Sequence, residues 1–219
     1  MTNSFKIIPL AAIASFASLP LARAVEPFAQ AEATYTDSDL NSSTSVYGDG
    51  LDGYELGVGL TFGVNLDSHH ELSIGTGFTE WNGTPSVTPG FVVVDAKAEQ
   101  IPVLLNYRYH LPLDAKNRYT VFFGPTAGFI HQKLTITTTN LGGLPPSLTG
   151  SDTQSDWLFA YGATAGLNAA LTAHWSAGVS AQVLKVESNS FTTFGGAGPF
   201  GRFDSQTRPS FSFSVRYTW

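Results

Sequence analysis

The stretch that decides the fold of this 219-residue chain is Ser210-Phe211-Ser212-Phe213-Ser214-Val215-Arg216-Tyr217-Thr218-Trp219. Aromatic or aliphatic residues occupy every second position, and serine, arginine or threonine occupies the positions between them. Side chains of a β-strand point alternately to opposite faces, so this pattern predicts a strand with one apolar and one polar face. Such a strand is typical of a closed barrel in a membrane, whose outer face meets lipid and whose inner face is polar.

The N-terminal residues predict export. A single positive charge at Lys6 precedes an apolar run over residues 7–21, and Ala22-Arg23-Ala24 then has the small-x-small pattern of a cleavage site. We therefore expect residues 1–24 to be a secretory signal peptide that is cleaved before Val25. An uncleaved membrane anchor is the alternative, but the run is short for a membrane span and is interrupted by prolines.

The composition bounds the possible classes of protein. Residues 25–219 are enough for one domain, and after the signal no run of eighteen apolar residues predicts a membrane-spanning helix. Cysteine is absent, which excludes disulfides, thiol catalysis and thiolate metal sites. The net charge is −6, and this acidic balance argues against a nucleic-acid partner.

Eight segments repeat the alternation of the final stretch. They cover residues 26–36, 54–66, 70–81, 94–109, 119–135, 156–169, 175–186 and 206–219. Short connections follow the second, fourth and sixth segments, whereas the others are long, over residues 37–53, 82–93, 136–155 and 188–205. Long loops on one side and tight turns on the other predict an all-β fold, an eight-stranded antiparallel up-and-down transmembrane β-barrel over residues 25–219. A β-sandwich is the alternative, but it would keep more charge on its outer faces.

Tyrosine and tryptophan gather near the ends of these segments. The residues concerned are Tyr35, Tyr54, Trp81, Tyr107, Tyr109, Tyr119, Trp157, Trp175, Tyr217 and Trp219. We expect them to form aromatic girdles at the two membrane–water interfaces.

Several stretches resemble those of a known family. Residues 101–109, 122–128 and 167–176 look like the corresponding parts of small outer-membrane β-barrels of the OmpA-like and opacity-protein type. Members of that family serve as adhesins, complement-resistance factors or structural anchors. The resemblance implies a protein of the cell outer membrane, surrounded by outer-membrane lipid, with a possible extracellular ligand on its loops.

The same resemblance gives the final strand a role in assembly. Its outward residues Phe213, Val215, Tyr217 and Trp219 resemble the C-terminal signal that the barrel-assembly machinery recognises. That signal usually ends in phenylalanine, and this chain has Trp219 there instead.

Five charged residues fall on the predicted inner face of the barrel: Glu32, Glu55, Glu71, Arg108 and Arg216. One interpretation is a structural network in which buried charges are paired, because unpaired buried charges are costly. The other is an ion path gated by a switch between glutamate and arginine. We favour the structural network, because an eight-stranded barrel is only wide enough for its own side chains.

The sequence does not assemble a catalytic or metal-binding site. His69-His70-Glu71 falls at a predicted tight turn, and a metal needs three or more converging ligands. The Asp/Gly run over residues 48–53 lacks the six to eight oxygens that calcium prefers. Ser176, Ser180 and Ser212 should point inward, whereas His131 shares the parity of the apolar face. A nucleophile needs a base within hydrogen-bond reach, so we expect no catalysis, no cofactor and no metal.

The predicted function is therefore a structural or surface-interaction role in the outer membrane, through four long extracellular loops. A narrow pore for ions or small solutes is the first alternative. An enzyme that modifies lipid A is the second, and it rests on analogy of fold alone.

Overall fold

The computed structural model describes residues 25–37, 53–83, 86–88, 92–140, 150–192, 200–203 and 205–219. The strands in these ranges are β1 (Glu26–Asp37), β2 (Gly53–Asn65), β3 (His70–Gly83), β4 (Ser86–Thr88), β5 (Val92–Pro112), β6 (Tyr119–Asn140), β7 (Gly150–Ala170), β8 (Trp175–Val186), β9 (Asn189–Thr192), β10 (Phe200–Phe203) and β11 (Gln206–Thr218). Across these ranges, no helix has the length and hydropathy needed to cross a membrane. The predicted signal peptide, residues 1–24, lies outside the described residues, so its cleavage stays a prediction.

Eight of the strands close into a barrel. Neighbours follow the order β3-β2-β1-β11-β8-β7-β6-β5, every pairing is antiparallel, and β3 pairs with β5 to complete the ring. The first and last strands are joined from Phe28↔Thr218 to Thr36↔Ser210. Because the ring is closed, its backbone groups find partners within the wall, as hydrocarbon surroundings require. The predicted eight-stranded antiparallel barrel is confirmed.

The two faces of the wall are inverted relative to a soluble protein. Phe211 and Phe213 on β11 are 63% and 55% exposed, whereas Ser210, Ser214 and Arg216 on the opposite face of the strand are buried. The same holds around the ring, where large apolar side chains face outward and polar ones face the lumen. An apolar exterior of this kind suits a lipid environment and would be a liability in water.

Three strands extend well beyond the others at one end. β5, β6 and β7 have 21, 22 and 21 residues, whereas β1, β2, β3, β8 and β11 have 12 to 14. At about 3.3 Å per residue the long strands exceed what a membrane crossing needs. We call residues 92–99, 133–140 and 150–156 the projecting sheet. It lies at the end of the barrel away from the short turns.

The predicted long loops are partly wrong for this reason. Most of residues 136–155 belongs to β6 and β7, residues 82–93 contain β4, and residues 188–205 contain the β9–β10 hairpin. Threonine and valine have high strand propensity, so these segments can form strands. They lack alternation of apolar and polar residues, and the sequence pattern therefore did not reveal them. The predicted loop over residues 37–53 falls mainly on residues 38–52, which lie outside the described residues.

Aspartates fix two of the short turns. Asp67 Oδ1 accepts hydrogen bonds from the backbone N–H groups of His69 at 2.7 Å and His70 at 2.8 Å. Asp114 Oδ1 does the same for Arg118 at 2.6 Å and Tyr119 at 3.1 Å. These backbone hydrogen bonds, from His69 and Tyr119 above all, hold the pKa of each carboxyl below its ordinary value.

Candidate functional site in the barrel lumen

A cluster of charges crosses the lumen near the end with the short turns. Its centre is Glu71 on β3, which is 0% exposed. Arg108 Nη1 lies 3.3 Å from Glu71 Oε1, while Arg216 Nη1 and His110 Nε2 lie 2.7 and 3.0 Å from Oε2. Since Arg216 belongs to β11 and Arg108 and His110 to β5, this carboxylate ties strands from different sides of the barrel. We call these four residues the Glu71 cluster.

Aromatic and amide side chains complete the packing of its arginines. Arg216 lies over the ring of Phe28 at 3.9 Å, and Arg108 lies over the ring of Phe122 at 4.7 Å. Gln30 Oε1 accepts hydrogen bonds from Nε and Nη2 of Arg216 at 3.2 and 2.9 Å. The guanidinium groups therefore have partners both in their plane and on a face, which offsets part of the cost of burying them.

A second polar layer lies at the other end of the lumen. Arg208 Nη1 contacts Glu55 Oε1 at 3.1 Å and Gln100 Oε1 at 2.9 Å, and its Nη2 contacts Gln206 Oε1 at 2.8 Å. We call this group the Arg208 layer. Leu184, on the adjacent strand, pairs directly with Arg208 in the register of β8 and β11.

Apolar side chains fill the lumen beside the Arg208 layer. The buried group consists of Ile130, Leu158, Ala160, Leu184 and Val186. Trp81 is also 0% exposed, which makes its predicted place in the interface girdle wrong. Trp81 has the same parity as Glu71 and Ser73 on β3, so the strand directs it into the lumen. The alternation of residues along β3 was therefore enough to predict that Trp81 points into the lumen.

Among the described residues, two cavities in the lumen have mainly polar residues in their lining. The larger, about 460 Å³, opens at the short-turn end and has His110 and Arg216 in its lining. The smaller, about 70 Å³, lies between the Glu71 cluster and the Arg208 layer and is lined by Glu32, Asn106 and other polar groups. Polar side chains therefore line the lumen along its length. The Glu71 cluster, the Arg208 layer and the apolar group fill its cross-section, so the open space along the axis is not continuous.

The structure brings the predicted luminal residues into two separate places. Glu71, Arg108 and Arg216 meet in one cluster, and Glu55 belongs to the Arg208 layer. Glu32 lies in the smaller cavity and accepts a hydrogen bond from Gln30 Nε2 at 3.2 Å, which links it indirectly to Arg216. Sequence reasoning missed the partners Gln30, Gln100, His110, Gln206 and Arg208. Arg208 shares the parity of Arg216, so the pattern of β11 could have found it.

The residues considered for metal binding or catalysis are separated by the wall. His70 is exposed and its Nδ1 lies 2.6 Å from the hydroxyl of Tyr107, whereas the next residue, Glu71, is buried in the lumen. His131 packs on the outside with Trp157, at a ring distance of 5.0 Å. Within the part of the chain that the structure describes, no three His, Asp or Glu side chains converge as a metal site requires.

The outward residues of the final strand lie in the lipid-facing surface. Phe213, Val215 and Trp219 are exposed, and the ring of Tyr217 makes edge contacts with Trp175 at 5.0 Å and Trp219 at 5.5 Å. This group of rings has the position expected of a girdle. Recognition of Phe213, Val215, Tyr217 and Trp219 by the assembly machinery stays a prediction.

A family model described as the outer membrane protein beta-barrel domain matches residues 8–217. The chain belongs to this family. Membership places the barrel in the outer membrane and its apolar exterior in lipid. No curated protein matches the chain in sequence.

Solved structures agree with the barrel in fold. OprG from Pseudomonas aeruginosa has a TM-score of 0.58 at 14% identity, over 90% of this chain and 97% of that one. Ail from Yersinia pestis, solved with the heparin analogue sucrose octasulfate, gives 0.51 at 15% over 89% and 99%. Neisserial surface protein A gives 0.50 at 14% over 88% and 97%. At these identities the likeness extends to the fold alone.

Proposed function

We propose that this outer-membrane barrel neither conducts nor catalyses, and that it has a structural or surface-interaction role at the cell exterior. In outer-membrane barrels the short turns face the periplasm. The Glu71 cluster then lies on the periplasmic side, and the Arg208 layer and the projecting sheet lie on the extracellular side.

The observation that carries the proposal is the double closure of the lumen. Ions moving along the axis would have to displace the contacts of Glu71 and then those of Arg208 with its apolar neighbours. Removing one partner of such a buried pair costs about 3–5 kcal/mol. Closure at two levels therefore supports a plugged barrel whose function lies on its outer surface.

The projecting sheet supports a role outside the membrane. Its outward-facing residues form cross-strand hydroxyl contacts, Thr135–Thr153 at 3.1 Å and Thr137–Ser151 at 3.3 Å. A hydrogen-bonded sheet of this kind presents a fixed polar surface, which costs less conformational entropy on binding than a flexible loop would.

Single-channel recording in planar bilayers tests the proposal. Residues 25–219 would be refolded, and a heat-modifiable shift on gels would first establish that the barrel is folded. We expect the shift and no steady conductance. A folded protein with steady single-channel steps would contradict the proposal.

A narrow pore is the second candidate, and the two polar cavities favour it. The Glu71 cluster lies between them with Phe28 and Phe122 packed on its arginines, so a pore would require these side chains to rearrange together. Even then, the Arg208 layer and the apolar group would still stand between the joined cavity and the exterior.

The absence of catalysis has a separate test. Lipid A extracted from cells that express the chain should have the same mass spectrum as lipid A from cells without it. Loss or gain of an acyl chain that disappears with Ser180→Ala would instead support a lipid-modifying enzyme.

A further inference from the structure

The larger polar cavity has the positive side of the Glu71 cluster as its floor. Arg216 and His110 border this cavity, whereas Glu71, which both of them contact, does not line it. Arg108 borders the smaller cavity instead. A space of about 460 Å³ therefore ends on a guanidinium and an imidazole, and the carboxylate lies behind them.

Arg216 retains hydrogen-bond donors on the side of this cavity. Of the five N–H groups of a guanidinium, Nε and one on Nη2 donate to Gln30 Oε1, and one on Nη1 donates to Glu71 Oε2. The ring of Phe28 packs on the group at 3.9 Å. Ser176 lies directly opposite Arg216 in the register of β8 and β11, and this small side chain leaves space beside the guanidinium. Among the described residues, the other N–H groups on Nη1 and Nη2 have no partner, so they are available to a ligand.

His110 adds a hydrogen-bond acceptor beside these donors. Its Nε2 lies 3.0 Å from Glu71 Oε2. An ionised carboxylate only accepts hydrogen bonds, so Nε2 carries the hydrogen, and Nδ1 of the neutral ring is an acceptor. Within the described ranges, Nδ1 has no hydrogen-bond partner. Because Arg216 Nη1 contacts the same oxygen of Glu71 at 2.7 Å, the imidazole and the guanidinium lie side by side.

The rest of the cavity is polar, with negative charge at its mouth. Asn65, Thr120 and Asn168 line its sides with amide and hydroxyl groups. Glu26 and Asp67 border it at the short-turn end. A positive floor beneath a negative mouth favours a small anion that the cavity can enclose. It disfavours an extended polyanion, which would lie against both carboxylates.

We infer that this cavity binds a small organic anion that has a hydroxyl group next to its carboxylate. The carboxylate accepts hydrogen bonds from Arg216, because charge-assisted contacts of this kind are the strongest that the floor offers. The adjacent hydroxyl donates to His110 Nδ1. In the proposed orientation of the barrel the ligand enters from the periplasm, and its binding does not require that the lumen conducts.

An NMR titration with two matched ligands tests the inference. Residues 25–219 would be refolded in micelles, where both ends of the barrel are accessible. Lactate has the carboxylate and the hydroxyl, whereas propionate has the same carbon chain without the hydroxyl, and chloride would keep the ionic strength constant. The readouts are the Nε–H resonance of Arg216 and the ring nitrogen resonance of His110 Nδ1. We expect saturable shifts of both with lactate, and an affinity about 3- to 10-fold lower for propionate, which has no donor for Nδ1.

Two variants of Ser176 show whether the ligand binds at this floor. Ser176→Asp places a carboxylate opposite Arg216, and it should lower the affinity for lactate at least about tenfold through repulsion and competition for the guanidinium. Ser176→Asn introduces a side chain of nearly the same size without charge, and it should retain most of the affinity. The heat-modifiable gel shift establishes that both variants are folded.

Several results would overturn the inference. The absence of a saturable lactate shift at Arg216 in the unchanged chain would do so whatever the variants show. Equal affinities for lactate and propionate would contradict the hydroxyl contact with His110. Equal lactate binding by S176D and S176N would mean that the anion binds elsewhere. A tighter response to inorganic phosphate than to lactate, lost in S176D, would assign the floor to phosphate instead.

Discussion

At the scale of single residues, Glu71 has more ionic partners than any other luminal side chain that the structure describes. One carboxylate with no exposed surface faces two guanidinium groups and an imidazole. The net worth of such a buried group is small, but the arginines become uncompensated if it is removed. Removing this glutamate should therefore cost much more stability than removing a glutamate on the outside of the wall.

We predict that Glu71→Ala destabilises the barrel by about 3–5 kcal/mol, because Arg108 and Arg216 would remain buried without their partner. Glu99→Ala is the control, and its cost should be about 0–1 kcal/mol, because its ion pairs with Lys97 and Lys133 on the outside of the wall are half exposed. Urea unfolding in micelles measures both. Similar losses for the two variants would show that the Glu71 cluster is hydrated and contributes no more than a surface pair.

The hydrogen-bonded turn at Asp114 predicts how folding stability depends on pH. Hydrogen bonds from the folded turn, first that from Tyr119, hold its pKa below the ordinary value of 3.8. A lowered pKa means that the fold favours the ionised carboxylate. The contribution of the Asp114 carboxylate to folding stability is therefore present above pH 3.8 and is lost as the pH falls through the folded pKa.

The backbone amide of Tyr119 should therefore titrate by NMR with a midpoint below 3.8. In Asp114→Asn this titration should vanish, while that of the His69 amide at the Asp67 turn should remain. A Tyr119 midpoint at or above 3.8 would contradict the turn geometry described here.

At the scale of elements, period-2 alternation located the strands but not the lengths of all of them. β8 was predicted over residues 175–186 and has those bounds, and β11 differs from its prediction by one residue. The strands β5, β6 and β7 are longer than predicted because alternation of apolar and polar residues stops where the wall leaves the lipid. Beyond that point hydrogen bonding and strand propensity continue the strand, and neither leaves a hydrophobic pattern.

The projecting sheet provides a test of the surface role. Replacing residues 136–152 by Asn-Gly would join Thr135 to Thr153, which are opposite each other in the β6–β7 register. We expect the shortened protein to keep its heat-modifiable shift, because the membrane-spanning ladder is untouched. Cells displaying the shortened protein should be retained on surfaces coated with extracellular-matrix extract less than cells displaying the intact chain.

A matched control for that deletion changes the opposite end of the barrel. Replacing Lys116 by alanine alters the short turn between β5 and β6 and should leave retention unchanged. Equal retention by the intact and shortened chains would contradict a surface role for the projecting sheet.

At the scale of the whole molecule, the closure of the lumen at two levels predicts the behaviour of single variants. Arg216→Ala should weaken the Glu71 cluster and join the two polar cavities, yet the Arg208 layer with Leu184 and its neighbours should still block steady current. Planar-bilayer recording of the folded variant measures this. Steady steps from Arg216→Ala would show that the Glu71 cluster is the main barrier to current and would favour the pore.

The sequence by itself determined the local properties of this protein: which side chains share a face, how many strands alternate, and that the apolar face requires lipid. Those properties depend on residues two positions apart, and they are readable without the fold. Only the tertiary structure decided which charges meet. Glu71 and Arg216 are 145 residues apart, and Glu55 and Arg208 are 153 apart. Their pairing depends on the stagger of every strand around the closed ring, which no local pattern specifies.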